Sequence, residues 1–269
     1  MDHINLHDLT LDQISSLLPE LRTVHIQELF VSYNPSSKPR NKRRTILAET
    51  LFSSSVYRKL INAILYIVRT SSTILSLSLI GLHLPPAAWL KLMELLSKTS
   101  SLQSVTFSSM KVPLTPKFFH LLNHFPLKIT NIYLINIGLN DDHSSFLSSF
   151  LVKRAFKLDN FKWENSLRFN NSESVFPLNL DLSFNNFTPN FLINLTNTNL
   201  HGIESINLAG LSLTNDVAIE LVLNKLDNCP LVCLYIDHDN VKEKYLVLLE
   251  NSLSDEYLLT IQKDQGKII

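Results

Sequence analysis

Large apolar side chains return along this chain at fixed offsets, and that recurrence limits the folds open to it more than any other feature. Residues 74–84, ILSLSLIGLHL, place Ile74, Leu77, Leu79 and Leu84 at offsets 0, 3, 5 and 10; residues 102–112, LQSVTFSSMKV, place Leu102, Val105, Phe107 and Val112 at the same four. The pattern recurs with Ile129, Ile132, Leu134 and Leu139, and again with Pro177, Leu180, Leu182 and Phe187, where Asn185 stands at offset 8. Ile203, Ile206, Leu208 and Leu213 follow, then Leu231, Leu234, Ile236 and Val241. One such unit buries five or six large side chains at ~1.5–3 kcal/mol each, whereas ordering its backbone costs ~1–2 kcal/mol per residue. A unit alone therefore unfolds, and stacked units fold by sharing buried surface.

The phrase has the LxxLxLxxNxL form of leucine-rich repeats. Its third anchor recurs at Leu79, Phe107, Leu134, Leu182, Leu208 and Ile236, at intervals of 28, 27, 48, 26 and 28 residues. Intervals of 26 to 28 leave room for a full helix after each strand, as in the ribonuclease-inhibitor type, and the 48 reads as one repeat with an insertion at about 156–176. Apolar residues between the strands follow helical period: Trp89, Leu92, Met93 and Leu96, and likewise Ile219, Val222, Leu223 and Leu226. Helix starts are marked by Pro85 and Pro86, by Thr115 before Pro116, by Thr188 before Pro189, and by Thr214 or Asn215. The expected fold class is α/β, a ribonuclease-inhibitor-like leucine-rich repeat solenoid with a curved parallel sheet and outer helices.

The whole of 1–269 is expected to form a single such domain. Residues 1–73 form its N-terminal cap repeat, 74–239 the core repeats, and 240–269 the C-terminal cap, with a last helix around Tyr245 to Leu253. In the N-terminal cap, LRTVHIQELF puts Leu21, Val24 and Ile26 at offsets 0, 3 and 5 as a degenerate first strand. Its helix runs from Val56 to Val68, with Leu60, Ile64 and Val68 on one face. Between them NPSSKPRNKRRT breaks the pattern and reads as a basic loop over 34–45. Its Lys38, Arg40, Lys42, Arg43 and Arg44 suit a nuclear-localisation signal, a contact for an acidic partner, or a solvated loop.

If offsets 0, 3 and 5 point inward, offsets 2, 4 and 6 form three rows on the concave face. The first row is Ser76, Ser104, Asn131, Asn179, Ser205 and Cys233; the second is Ser78, Thr106, Tyr133, Asp181, Asn207 and Tyr235; the third is Ile80, Ser108, Ile135, Ser183, Ala209 and Asp237. These rows are small, polar and nearly uncharged. That character suits a protein ligand, with Tyr133, Tyr235, Asp181, Asn207 and Asp237 as candidate contacts. It does not suit nucleic acid, which needs rows of Lys and Arg, and Lys+Arg and Asp+Glu balance at 24 each.

Catalytic, cofactor-binding and metal-binding residues are not expected. His120 and His124 lie one helical turn apart in FFHLLNHF, with no third ligand beside them. Asp237, His238 and Asp239 have acid–base types but no nucleophile. Five glycines leave little from which to build a phosphate cradle. Cys229 and Cys233 are too few for a disulfide framework and fit a reduced, intracellular protein. The start MDHINLHDLT lacks the basic and apolar regions of a signal peptide, so the sequons at Asn170, Asn186 and Asn194 read as coincidence. The longest strongly apolar stretch, Leu60 to Val68, is far short of the ~20 residues that span a bilayer, so a soluble protein without membrane association is expected.

The long interval carries FLVKRAFKLDNFKWENSLRFNN, a lengthened helix leading into WENSLRF. Here the chain resembles the centrosomal protein of 78 kDa family, which extends one repeat at this place with a WxxSLR-aromatic phrase. The match falls on Trp163, Ser166, Leu167, Arg168 and Phe169; LRTVHIQELF and IESINLAGLSLTNDVAIELVLNKL add to it, over roughly residues 20 to 250. The resemblance implies a non-enzymatic scaffold of the centrosome, centriole or basal body of the cilium, in the cytoplasm and cytoskeleton. It implies recruitment of other centriolar components and a ubiquitin-ligase assembly. Family members continue into a coiled-coil tail, while this sequence ends at Ile269. Trp163 and Phe169 are expected to clamp the insertion, with Arg168 as a strut or a partner contact. Two other functions remain open for repeats of this type: a regulatory subunit or GTPase-activating protein, and a substrate adaptor of a ubiquitin ligase.

Overall fold

The computed structural model describes residues 3–23, 26–33, 48–166, 176–196, 198, 202–210, 233–237 and 258–262. It is a mixed α/β protein whose strands pair in parallel, and it divides into two compact units, Met1–Ile129 and Thr130–Ile269. Parallel neighbours cannot be joined by a tight hairpin, so the chain must travel back through a crossover, usually a helix, before each new strand.

In the first unit β1 (His3–Asn5), β2 (Glu28–Ser32), β3 (Ser76–Ile80) and β4 (Ser104–Ser108) pair in sequence order. Helix α1 (Leu11–Thr23) joins β1 to β2, α2 (Ala48–Ser53) and α3 (Ser55–Thr70) lie between β2 and β3, and α4 (Pro86–Leu96) lies between β3 and β4. Helix α5 (Pro116–Leu122) follows β4. Successive helices pack on one another, α1 on α3, α3 on α4 and α4 on α5. The register pairs Leu77 with Val105 and Leu79 with Phe107, all fully buried. Trp89 of α4 meets Phe107 edge-on at 4.9 Å, which joins the helix layer to the sheet. Helix α3 turns Tyr57, Leu60, Ile61, Ile64, Ile67 and Val68 inward, the face expected from its periodicity.

In the second unit β5 (Asn131–Ile135), β6 (Leu178–Asp181), β7 (Ile203–Asn207), β8 (Cys233–Asp237) and β9 (Leu258–Gln262) pair in order, also in parallel. Helix α6 (Ser144–Ser166) connects β5 to β6 and α7 (Pro189–Thr196) connects β6 to β7, and these helices pack together. The 23 residues of α6, about 34 Å at 1.5 Å each, account for most of the long interval before β6.

Several caps match their sequence signals. Thr115 accepts from the Phe118 amide, and Thr188 accepts from the Asn190 amide at 3.3 Å, each directly before a proline that opens a helix. Pro85 occupies the N-cap of α4 with Pro86 as its first residue.

One sequence expectation needs correction, and two strands were not anticipated. Leu21 lies in α1, beside Ile14 and Leu18 on its buried face, and β2 is anchored instead by Ile26, Leu29 and Val31, with Leu29 opposite Leu77 and Val31 opposite Leu79. Both triplets have offsets 0, 3 and 5 and share Ile26, so apolar spacing alone does not choose between them; helix α1 takes Leu21 from the earlier one. A further strand, β1, precedes β2, with Ile4 opposite Val31. At the other end, the expected cap holds a strand, β9, paired to β8. The basic loop over 34–45, the helices expected around 219–226 and 245–253, and Cys229 lie outside the described residues.

A regularity of the turns was not visible in the anchors. Gly81, Ser109, Asn136, Phe184 and Gly210 all have positive φ, and each stands seven residues after the first anchor of its phrase. Their amides repeat one bond: Gly81 donates to the Ser108 carbonyl, Asn136 to Ser183 and Phe184 to Ala209, at 2.8–3.0 Å, and Tyr33 donates equivalently to Ile80. The left-handed turn thus carries the strand ladder one rung further while reversing the chain toward the helix. At Gly81 a Cβ would sit 2.2 Å from the Tyr33 carbonyl oxygen, so only glycine fits.

Candidate interaction face

The register brings the sequence-predicted rows together inside each unit. Ser76 lies opposite Ser104, and Ser78 opposite Thr106. Asn131, Asn179, Ser205 and Cys233 form one continuous row, and Tyr133, Asp181, Asn207 and Tyr235 the next. Strand side chains alternate faces, so Ser76, Ser78, Ser104, Thr106, Asn131, Tyr133, Asn179, Asp181, Ser205 and Asn207 stand on the side opposite the buried leucines and isoleucines, and they are half-buried.

On β5 to β7 the rows bond to themselves. Asn179 Nδ2 donates to Asn131 Oδ1 at 3.1 Å, Ser205 Oγ donates to Asn179 Oδ1 at 2.6 Å, and Asn131 Nδ2 donates to Thr130 Oγ1 at 3.2 Å. In the second row Asn207 Nδ2 donates to Asp181 Oδ2 at 2.9 Å. The remaining oxygens close the strand ends: Asp181 Oδ1 accepts from the Ser183 amide at 2.8 Å and Asn207 Oδ1 from the Ala209 amide at 3.0 Å. Asp181 and Asn207 therefore hold the turns as well as facing solvent. Tyr133 reaches back to Asn131 Oδ1 at 3.5 Å, and its hydroxyl pKa is raised by burial and by the Asp181 charge.

The third row departs from expectation in part. Ile80, Ser108 and Ile135 are half-buried like the other rows, whereas Ser183 and Ala209 are buried, because they lie beyond the ends of β6 and β7, where the chain has already turned. Asp237 ends β8. Trp163 lies in the last turn of α6, and Arg168 and Phe169 lie outside the described residues. At the base of the insertion an unanticipated pair, Phe161 of α6 and Phe176 just before β6, meets edge-on with centroids 5.4 Å apart.

Asn185 occupies the phrase's offset 8 and is buried. Its Nδ2 donates to the carbonyls of Leu134 at 2.6 Å and Leu182 at 2.9 Å, and its Oδ1 accepts from the amides of Ile137 at 3.0 Å and Leu139 at 3.1 Å. One side chain so ties its own turn to the preceding one. The equivalent positions Leu82, Met110 and Ile137 are buried and apolar. Asp141 makes a second such link: its carboxylate accepts from the Thr188 amide at 2.9 Å and from the Thr188 hydroxyl, at the start of α7.

His120 and His124 are exposed, with ring centroids 4.5 Å apart and His124 Nδ1 2.7 Å from the His120 carbonyl. Among the described residues no group of three or more His, Cys, Asp or Glu is arranged to hold a metal ion, and no helix is long and apolar enough to cross a membrane. His238 and Asp239 lie outside the described residues. No family model matches the chain, and no curated protein matches it at a significant level.

Proposed function

We propose that the chain is a ribonuclease-inhibitor-type leucine-rich repeat solenoid serving as a non-enzymatic protein-interaction scaffold of the centriole or basal body. One observation carries the repeat reading: the same amide-to-carbonyl bond is made at the same offset, from Tyr33 and Gly81 in the first unit and from Asn136 and Phe184 in the second, the last three in left-handed turns. Stacking identical units lays out a long face with little chemistry of its own, which is the common use of solenoids in binding proteins. The centriolar assignment is supported by the WENSLRF phrase into which α6 leads, at Trp163, Ser166, Leu167, Arg168 and Phe169. Recruited partners are then other centriolar proteins and a ubiquitin-ligase assembly.

The test is to express the fluorescently tagged chain in ciliated cells and map its neighbours by proximity labelling. Foci at basal bodies with centriolar proteins labelled are expected; a diffuse cytosolic signal would contradict the assignment.

A further inference from the structure

The first unit carries two exposed side chains whose chemistry the repeat does not use. His120 lies in the last turn of α5, and His124 stands two residues past the end of that helix. The backbone beneath them is pinned: Phe118, Phe119, Leu122 and Phe125 are buried, and the amides of Asn123 and His124 donate to the carbonyls of Phe119 and Leu121, each at 3.0 Å. Residues four apart on a helical turn share a face, and the two imidazole rings sit with centroids 4.5 Å apart. Two imidazoles on one ion, with metal–nitrogen bonds of about 2.0–2.1 Å, hold their ring centres on the order of 5 Å apart. The rings thus already stand at the separation of a shared cation. His124 is oriented as well. Its Nδ1 lies 2.7 Å from the His120 carbonyl oxygen, which can only accept, so Nδ1 carries the proton and Nε2 of the neutral ring keeps its lone pair. A backbone carbonyl on one ring nitrogen is the contact that orients metal-bound histidines. Among the described residues no hydrogen bond occupies either nitrogen of the His120 ring.

We propose that His120 and His124 chelate a nitrogen-preferring divalent cation of the Zn2+ type, through Nε2 of His124 and a ring nitrogen of His120, with water in the remaining positions. Once one imidazole has bound, the other is present at high effective concentration, which makes the pair a better ligand than two separate histidines. The sequence around it selects the cation. No Asp or Glu lies between Glu94 and Asp141, so the stretch supplies none of the carboxylates that Ca2+ and Mg2+ require, while imidazole suits Zn2+, Cu2+ and Ni2+. Lys117 and Lys128, exposed on either side in sequence, cannot ligate while charged and leave the imidazoles as the donors. The inference stands apart from the scaffold reading and does not depend on it.

The experiment titrates zinc chloride into the 269-residue chain at pH 7.5 by calorimetry, beside His120→Gln, His124→Gln and the double variant, with magnesium chloride as control. Other histidines and the two cysteines of the chain can also take zinc, so the difference between wild type and double variant is the quantity read. Wild type should take up one more equivalent of Zn2+ than the double variant, and either single substitution should weaken that equivalent about tenfold or more. Melting temperatures without zinc should be unchanged, since both side chains are exposed. Imidazole nitrogen NMR of the wild-type chain needs no substitution: zinc should shift Nε2 of His124 and leave Nδ1 protonated. Equal zinc uptake by the double variant, a weakening below tenfold in either single variant, loss of the His124 Nδ1 proton on binding, or a response to Mg2+ as strong as that to Zn2+ would each overturn the proposal.

Discussion

Single residues decide how the turns of this protein close. Asn185 replaces four backbone partners at once, so its removal strands the Ile137 and Leu139 amides in a buried place. At ~1–3 kcal/mol for each stranded group, Asn185→Ala should lower unfolding free energy by about 2–5 kcal/mol in urea titrations. Phe184 adopts φ 56° with its ring 57% exposed, a left-handed conformation that costs a side chain ~1–2 kcal/mol. Phe184→Gly should therefore be neutral or raise stability by up to about 1 kcal/mol, whereas Gly81→Ala should lower it by more than that, because its Cβ meets the Tyr33 carbonyl. Tyr57 is buried with its hydroxyl donating to the His83 carbonyl and accepting from the His83 amide, and burial raises its pKa. A raised phenol pKa contributes stability that is complete below about pH 10, the unfolded value, and is lost as pH rises through the folded one. Wild-type stability should fall steeply above pH 10, and Tyr57→Phe, less stable by about 1–2 kcal/mol at neutral pH, should flatten that fall; chemical denaturation from pH 8 to 11 checks both.

At the scale of elements, each strand is short and each helix is held by its neighbour. Asp141 fixes the start of α7 by accepting from both Thr188 groups. Asp141→Ala should cost ~1 kcal/mol, the usual worth of a lost cap, with faster hydrogen exchange at the first turn of α7. The strands from β3 to β8 were legible because their apolar residues alternate, helices α3 and α4 because theirs fall at period 3.6, and the starts of α4, α5 and α7 because they carry Pro-Pro or Thr-Pro signals. Strand β2 was misregistered because Ile26 belongs to two overlapping triplets. Strand β1 escaped notice because only His3 to Asn5 pair, too short for alternation to appear. Of the candidate face, alternation alone placed Tyr133, Asp181 and Asn207. The mutual bonding of those side chains and the burial of Ser183 and Ala209 depend on where the turn begins. Leu134 and Ile137, two of the partners of Asn185, lie on and just after β5, 51 and 48 residues away, a pairing no local pattern states.

For the whole molecule, the proposed repeat means that within each unit the chain comes back to a parallel neighbour in matching register, with long excursions before β3 and β6. Each return supplies the burial its predecessor lacks, which makes the strands within a unit dependent on one another. The most direct test is cross-strand thiol cross-linking with a short bimane reagent in the 269-residue chain, with Cys229→Ser throughout. Strand neighbours lie ~4.8 Å apart, so Ser205→Cys should link to the native Cys233, and, with Cys233 also replaced by serine, Ser76→Cys should link to Ser104→Cys. Ser76→Cys with Ser108→Cys, four residues out of register and thus ~13 Å along the strand, should stay unlinked. Efficient linking of the out-of-register pair, or none at the two in-register pairs, would contradict the repeat.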